Sequence, residues 1–94
     1  MPTGRLTVVH RHDCQLCDEM LTELAELGRA LPLPPLELLD VDSDPQLQRR
    51  YGLEVPVLLL DGMVVCRHRL DWDELTRLLR APRTGPAGGA AHTP

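Results

Sequence analysis

Ninety-four residues suffice for one modest hydrophobic core and not for two domains, so a single fold must carry the function. Apolar residues make up 43% of the chain and aromatics 2%, with no Phe, which leaves Leu and Val to build that core. All ten basic residues are Arg and the formal charge is −4, which excludes the basic field that draws a protein to nucleic acid.

The first run with strand character is Leu6-Thr7-Val8-Val9-His10, which ends just before a pair of cysteines. From Leu16 the apolar positions 16, 20, 24, 27 and 31, widened by Leu21, recur at helical spacing, while Asp18, Glu19, Glu23 and Glu26 take other faces. This amphipathic helix carries acid in its first turn, where the helix dipole is positive, and Pro32, Pro34 and Pro35 stop it near Ala30. Leu36 to Val41 reads as a second strand, and the strand-helix-strand order implies a right-handed crossover between parallel neighbours. Asp42-Ser43-Asp44 offers capping oxygens ahead of Pro45, so a short helix is expected from Pro45 to Tyr51, closed by Gly52. Val55 to Leu60, Asp61-Gly62 and Met63 to His68 read as a β-hairpin, because Asp-Gly supplies the positive φ angles of a tight turn. Asp71-Trp72-Asp73-Glu74 opens a last helix that packs through Leu75, Leu78 and Leu79 and ends at Ala81-Pro82. Residues 82–94 are rich in Gly, Ala and Pro with no apolar period, so a disordered tail is expected after a domain of residues 1–81. The longest apolar run, Val55 to Leu60, is too short to cross a bilayer, and no apolar signal segment precedes Leu6. A soluble, cytoplasmic monomer without membrane contact is expected.

The chemistry resides in the cysteines. Three is an odd number, and Cys14 and Cys17 stand three apart, which suits a redox or metal pair in a reducing compartment better than a secreted disulfide framework. A Cys-x-x-Cys pair alone is a weak signal, but its place between a strand and a helix start is what thiol chemistry needs. A thiolate is the attacking species, and free N–H groups at a helix N-terminus lower a thiol pKa from about 8.5 into a range of roughly 3.5–7.5. Cys14 is placed to be that nucleophile, and Cys17, one turn further in and more shielded, suits the resolving role. Asp13 beside Cys14 opposes the helix end, and a protonated His12 would offset it. Zinc is the competing chemistry, since two thiolates with His10, His12 or Cys66 make a ligand set. No second Cys-x-x-Cys accompanies them, and no metal is expected. Cys66, mid-strand among apolar neighbours, reads as a buried structural thiol.

The order β-α-β-α-β-β-α with the cysteine pair after the first strand resembles the thioredoxin fold in its minimal glutaredoxin form. The combination of Cys-x-x-Cys-Asp-Glu, Tyr51-Gly52-Leu53-Glu54-Val55-Pro56 and Asp61-Gly62 is similar to a group of short bacterial glutaredoxin-like proteins, over residues 5 to about 80. The resemblance implies a three-layer α/β fold with a mixed four-stranded sheet. It also implies a cis Pro56 facing the dithiol and a Val55 backbone that pairs with a substrate strand. It makes the chain a thiol–disulfide oxidoreductase or dithiol carrier acting on a protein or small-molecule disulfide, with no bound cofactor and glutathione as a candidate reductant. Arg11, and Arg49 or Arg50, are candidates to meet a glutathione carboxylate. The chain departs from standard glutaredoxins in having Gln15 and Leu16 where those carry Pro and an aromatic, and in lacking, in His68-Arg69-Leu70-Asp71, the Gly-Gly pair that those carry after the fourth strand. The alternative readings are a non-catalytic binding module of the same fold and metal carriage through the two thiolates.

Overall fold

Alternation of side chains along two central strands sets the layering of this molecule, a computed structural model of which describes residues 4–80. The expected tail, residues 82–94, lies outside the described residues. Strand β1 (Leu6–His10) is followed by α1 (Gln15–Ala30), β2 (Leu36–Asp40), a single 3₁₀ turn (Val41–Ser43) and α2 (Pro45–Tyr51). Then come β3 (Val57–Leu60), β4 (Met63–Arg67) and α3 (Trp72–Arg80). The strands form one sheet in the order β2-β1-β3-β4, with β1 and β2 parallel and the other pairs antiparallel. This is the mixed four-stranded sheet that the sequence predicts.

Leu6, Val8, Leu58 and Leu60 point to one face and pack with Met20, Leu24 and Leu27 of α1 and Leu75 of α3. Val9, Val57 and Leu59 point to the other, against Val41 and, from α2, Leu47 and Tyr51. The sheet is thus a middle layer between α1 with α3 and α2. All four residues of β3 are buried, as an interior strand covered on both faces requires. Among the described residues no helix is long and apolar enough to cross a membrane.

Local chemistry accounts for most boundaries. The Asp44 side chain caps α2 by accepting the Gln46 N–H at 2.8 Å, with Pro45 in the first turn where a missing N–H costs nothing. The hairpin turn has φ of 53° at Asp61 and 84° at Gly62, the pair of positive angles that a two-residue turn matching strand twist requires. Asp71 caps α3, its carboxylate accepting the Glu74 N–H at 3.0 Å.

Four expectations are corrected. Strand β2 ends at Asp40 and not Val41, because the Asp40 carboxylate accepts the Asp42 N–H and the Ser43 hydroxyl donates to the Asp40 carbonyl, closing a turn. Val55 and Pro56 precede β3, whose ladder opens with the Val9–Val57 pair. Strand β4 ends at Arg67, since His68 has φ of 69° and leaves the ladder. The buried stripe of α1 runs Cys17, Met20, Leu24, Leu27, rotated from the predicted one by taking Cys17 in place of Leu16.

Candidate active site

Cys14 occupies the N-cap of α1, with extended backbone at φ −118° and ψ 103°. Its sulfur accepts the Cys17 N–H at 3.1 Å, and its carbonyl takes the Asp18 N–H at 3.1 Å. The preceding Asp13 makes this entry possible by turning at φ 54°, a left-handed conformation that Asp tolerates better than most side chains. The two sulfurs are joined in a disulfide, their Cα atoms 5.2 Å apart. Cys14 is half-buried, whereas Cys17 is 1% exposed within the α1 stripe. One sulfur therefore meets solvent at the positive end of a helix, and the other lies behind it in apolar packing.

The Val55–Pro56 peptide bond is cis. Pro56 is buried and Val55 half-buried against the α2-side core. The antiparallel register that pairs Val9 with Val57 carries Pro56 to the sheet end where β1 gives way to the dithiol loop. Two contacts pin this segment from the β4 side. The Pro56 carbonyl accepts the His68 N–H at 2.8 Å, and the Arg67 guanidinium donates to Glu54 Oε1 at 2.8 Å. His68 is itself the centre of a three-residue turn, with the Arg69 N–H donating to the Arg67 carbonyl at 2.7 Å. Sequence reasoning missed this turn, because a histidine carries none of the signal that a glycine would have given at a positive φ.

Arg11 lies three residues before Cys14, and three of its nitrogens are engaged by the protein. Nε and Nη2 donate to the two carboxylate oxygens of Asp42 at 3.0 Å each, and Nη1 donates to the Gly52 carbonyl at 3.0 Å. Gln48 also donates to Asp42 Oδ1, at 3.1 Å. Hydrogen bonding from Arg11, then from Gln48, holds the Asp42 carboxyl below its ordinary range, and the Asp42 bond pushes the guanidinium further above its own. His12 stands 3.7 Å from Asp40 and is exposed. Arg49 and Arg50 lie exposed on α2, with Arg50 5.9 Å from the centre of the Tyr51 ring. The sequence contains no spacing signal for the Arg11–Asp42 pair, which is 31 residues apart and formed only when β1 and β2 align.

Cys66 is half-buried against the core shared by α1 and α3, a correction to the expectation of full burial. Burial pushes its thiol up, with a hydrogen bond to the Asp71 backbone pulling the other way. Among the described residues, no group of three or more His, Cys, Asp and Glu side chains is arranged to hold a metal, so His10, His12 and Cys66 do not complete a ligand set with Cys14 and Cys17.

A family model described as Glutaredoxin-like domain (DUF836) matches residues 5–80. No curated protein matches the chain significantly. Among solved structures, protein Ne2328 from Nitrosomonas europaea is 30% identical with a TM-score of 0.74, over 83% of this chain and 93% of its own. Protein XcR50 from X. campestris is 33% identical with a TM-score of 0.61, over 82% of this chain and 99% of its own. Reduced desulfothioredoxin from Desulfovibrio vulgaris Hildenborough is 26% identical with a TM-score of 0.59, over 81% and 78%. The three-layer arrangement with its mixed sheet is thus thioredoxin-like.

Proposed function

The chain belongs to the glutaredoxin-like domain family, and on that premise we propose that it works as a thiol–disulfide oxidoreductase or dithiol carrier through Cys14 and Cys17. The observation that supports this most directly is the Cys14 sulfur at the α1 N-cap, accepting a backbone N–H, with Cys17 buried behind it. Backbone donors and the helix dipole favour negative sulfur at that position, and a thiolate is the reactive form.

In the reduced protein, the Cys14 thiolate attacks one sulfur of a protein or small-molecule disulfide. A Cys14–substrate S–S bond forms, the substrate S–S bond breaks, and the departing thiolate takes a proton from solvent. Cys17, having lost its own proton, then attacks the Cys14 sulfur. This step forms the Cys14–Cys17 disulfide and releases the second substrate thiol, so two electrons pass from the dithiol to the substrate. The backbone at Val55, preceding Pro56, pairs with an extended partner and presents its sulfur to Cys14. A thiol reductant returns the disulfide to the dithiol, with glutathione a candidate, and a reducing cytoplasm is the setting that suits the cycle.

Thiolate absorbance near ~240 nm, titrated in reduced Cys17→Ser protein, is expected to give Cys14 a pKa below the free-thiol value of about 8.5. The same variant, mixed with an excess of disulfide substrate, is expected to accumulate a mixed disulfide at Cys14, visible as an added mass. Cys14→Ser protein is expected to accumulate none. An ordinary thiol pKa together with no trapped adduct would move the assignment to the binding-module reading.

A further inference from the structure

Attack on a partner's disulfide requires two loops to keep a fixed relation: the one carrying Cys14, and the one carrying Val55. The chain between them runs through α1, β2 and α2, and beyond the β1–β3 ladder, which ends at the Val9–Val57 pair, each loop is on its own. The Arg11 guanidinium spans that gap. It follows β1 directly, grips Asp42 in the turn after β2 with two parallel hydrogen bonds, and donates a third to the Gly52 carbonyl at the C-cap of α2. Gly52 is the first residue of the short segment that ends in Val55–Pro56, and the Glu54 N–H to Tyr51 carbonyl bond of 2.8 Å stiffens the stretch between them. The Asp42 end is anchored in turn by Gln48 and by its own N–H on Asp40. A planar fork with donors in fixed directions is what bidentate contact plus a third bond demands, and only arginine offers it.

We propose that Arg11 is a positioning residue that sets the Val55 backbone at a working distance from Cys14, and so decides how well an extended peptide disulfide is used relative to a small one. This rests on the oxidoreductase reading. In this role the guanidinium touches no substrate and acts through the Gly52–Val55 segment. A partner strand that pairs with Val55 feels any slack in the loop, whereas a small disulfide reaching Cys14 from solvent does not. A displacement of an ångström at a reacting centre is enough to cost roughly a hundredfold in rate.

The test compares reduced wild-type protein with Arg11→Gln, Arg11→Lys and Asp42→Asn on two substrates, an uncharged peptide with an intermolecular disulfide and 2-hydroxyethyl disulfide. The rate ratio of peptide to small disulfide is expected to fall about tenfold or more in Arg11→Gln and in Asp42→Asn, with little further loss in the double variant. Arg11→Lys is expected not to restore it, because a point charge cannot hold Asp42 and Gly52 together. Far-ultraviolet circular dichroism and thermal midpoints identify any variant that has simply unfolded. An unchanged ratio in folded Arg11→Gln, or rescue by Lys with Asp42→Asn unaffected, would overturn the positioning role and leave the oxidoreductase reading intact. Wild-type protein that reduces neither substrate would overturn the oxidoreductase reading itself, and the positioning role with it.

Discussion

A Cβ placed on Gly52 would lie 2.5 Å from the Gln48 carbonyl oxygen, a main-chain atom held by the Gly52 N–H bond that closes α2. The requirement is for space and not for an unusual backbone angle, since Gly52 has φ −56°. Gly52→Ala is therefore expected to cost about 1–3 kcal/mol, read as a lowered urea midpoint, and an unchanged midpoint would show that the turn yields freely. Cys66 is governed by burial instead. Its thiol stays protonated to higher pH than a free one, so alkylation by iodoacetamide at pH 8 is expected to be slower in the folded protein than in urea. Equal rates, measured by mass spectrometry with the Cys14–Cys17 disulfide intact, would contradict that.

At the scale of elements, carboxylates secure both a joint between elements and a turn within a helix. Asp42 ties the turn after β2 to Arg11 and Gln48, and Glu74 pairs with Arg77 across one turn of α3 at 2.7 Å. Both carboxyls titrate below their ordinary range, chiefly through those hydrogen bonds. A folded-state pKa below the unfolded one stabilises the fold above the unfolded value, about 4, and that stabilisation disappears as pH falls through the folded value. The urea midpoint of the wild type is thus expected to drop further between pH 7 and pH 3 than that of Asp42→Asn. A parallel fall in both would remove Asp42 from the acid limb. Because Asp42 is exposed, salt is expected to shrink the difference.

For the molecule as a whole, stability comes from closing two apolar layers on β1 and β3. Leu58 lies in β3 with no exposed surface, in the cluster that joins α1 to α3. Leu58→Ala is expected to cost about 2–5 kcal/mol, because lost burial and an unfilled cavity add. Leu53, 96% exposed in the loop before Val55, is expected to tolerate Ala within about 0.5 kcal/mol. Urea melts of the two variants test the contrast directly. A domain of this size has a small margin, so the Leu58 change alone takes a large share of it.

The sequence by itself determined the order of elements, the bounds of α2 and the hairpin turn, because Asp44-Pro45, Gly52 and Asp61-Gly62 act through bonds within a few residues. It also determined the candidate dithiol, since three-residue spacing after a strand is a local fact. Only the tertiary structure decided which face of α1 is buried, because that depends on where the sheet lies and not on periodicity alone. It also ended β2 at Asp40 and placed His68 in a left-handed turn, where side-chain bonding and loop closure outweigh strand propensity. Arg11 is the clearest case. The resemblance makes it a candidate to meet a glutathione carboxylate, and its partners at Asp42 and Gly52 meet it only once β1, β2 and α2 have packed into one end of the sheet.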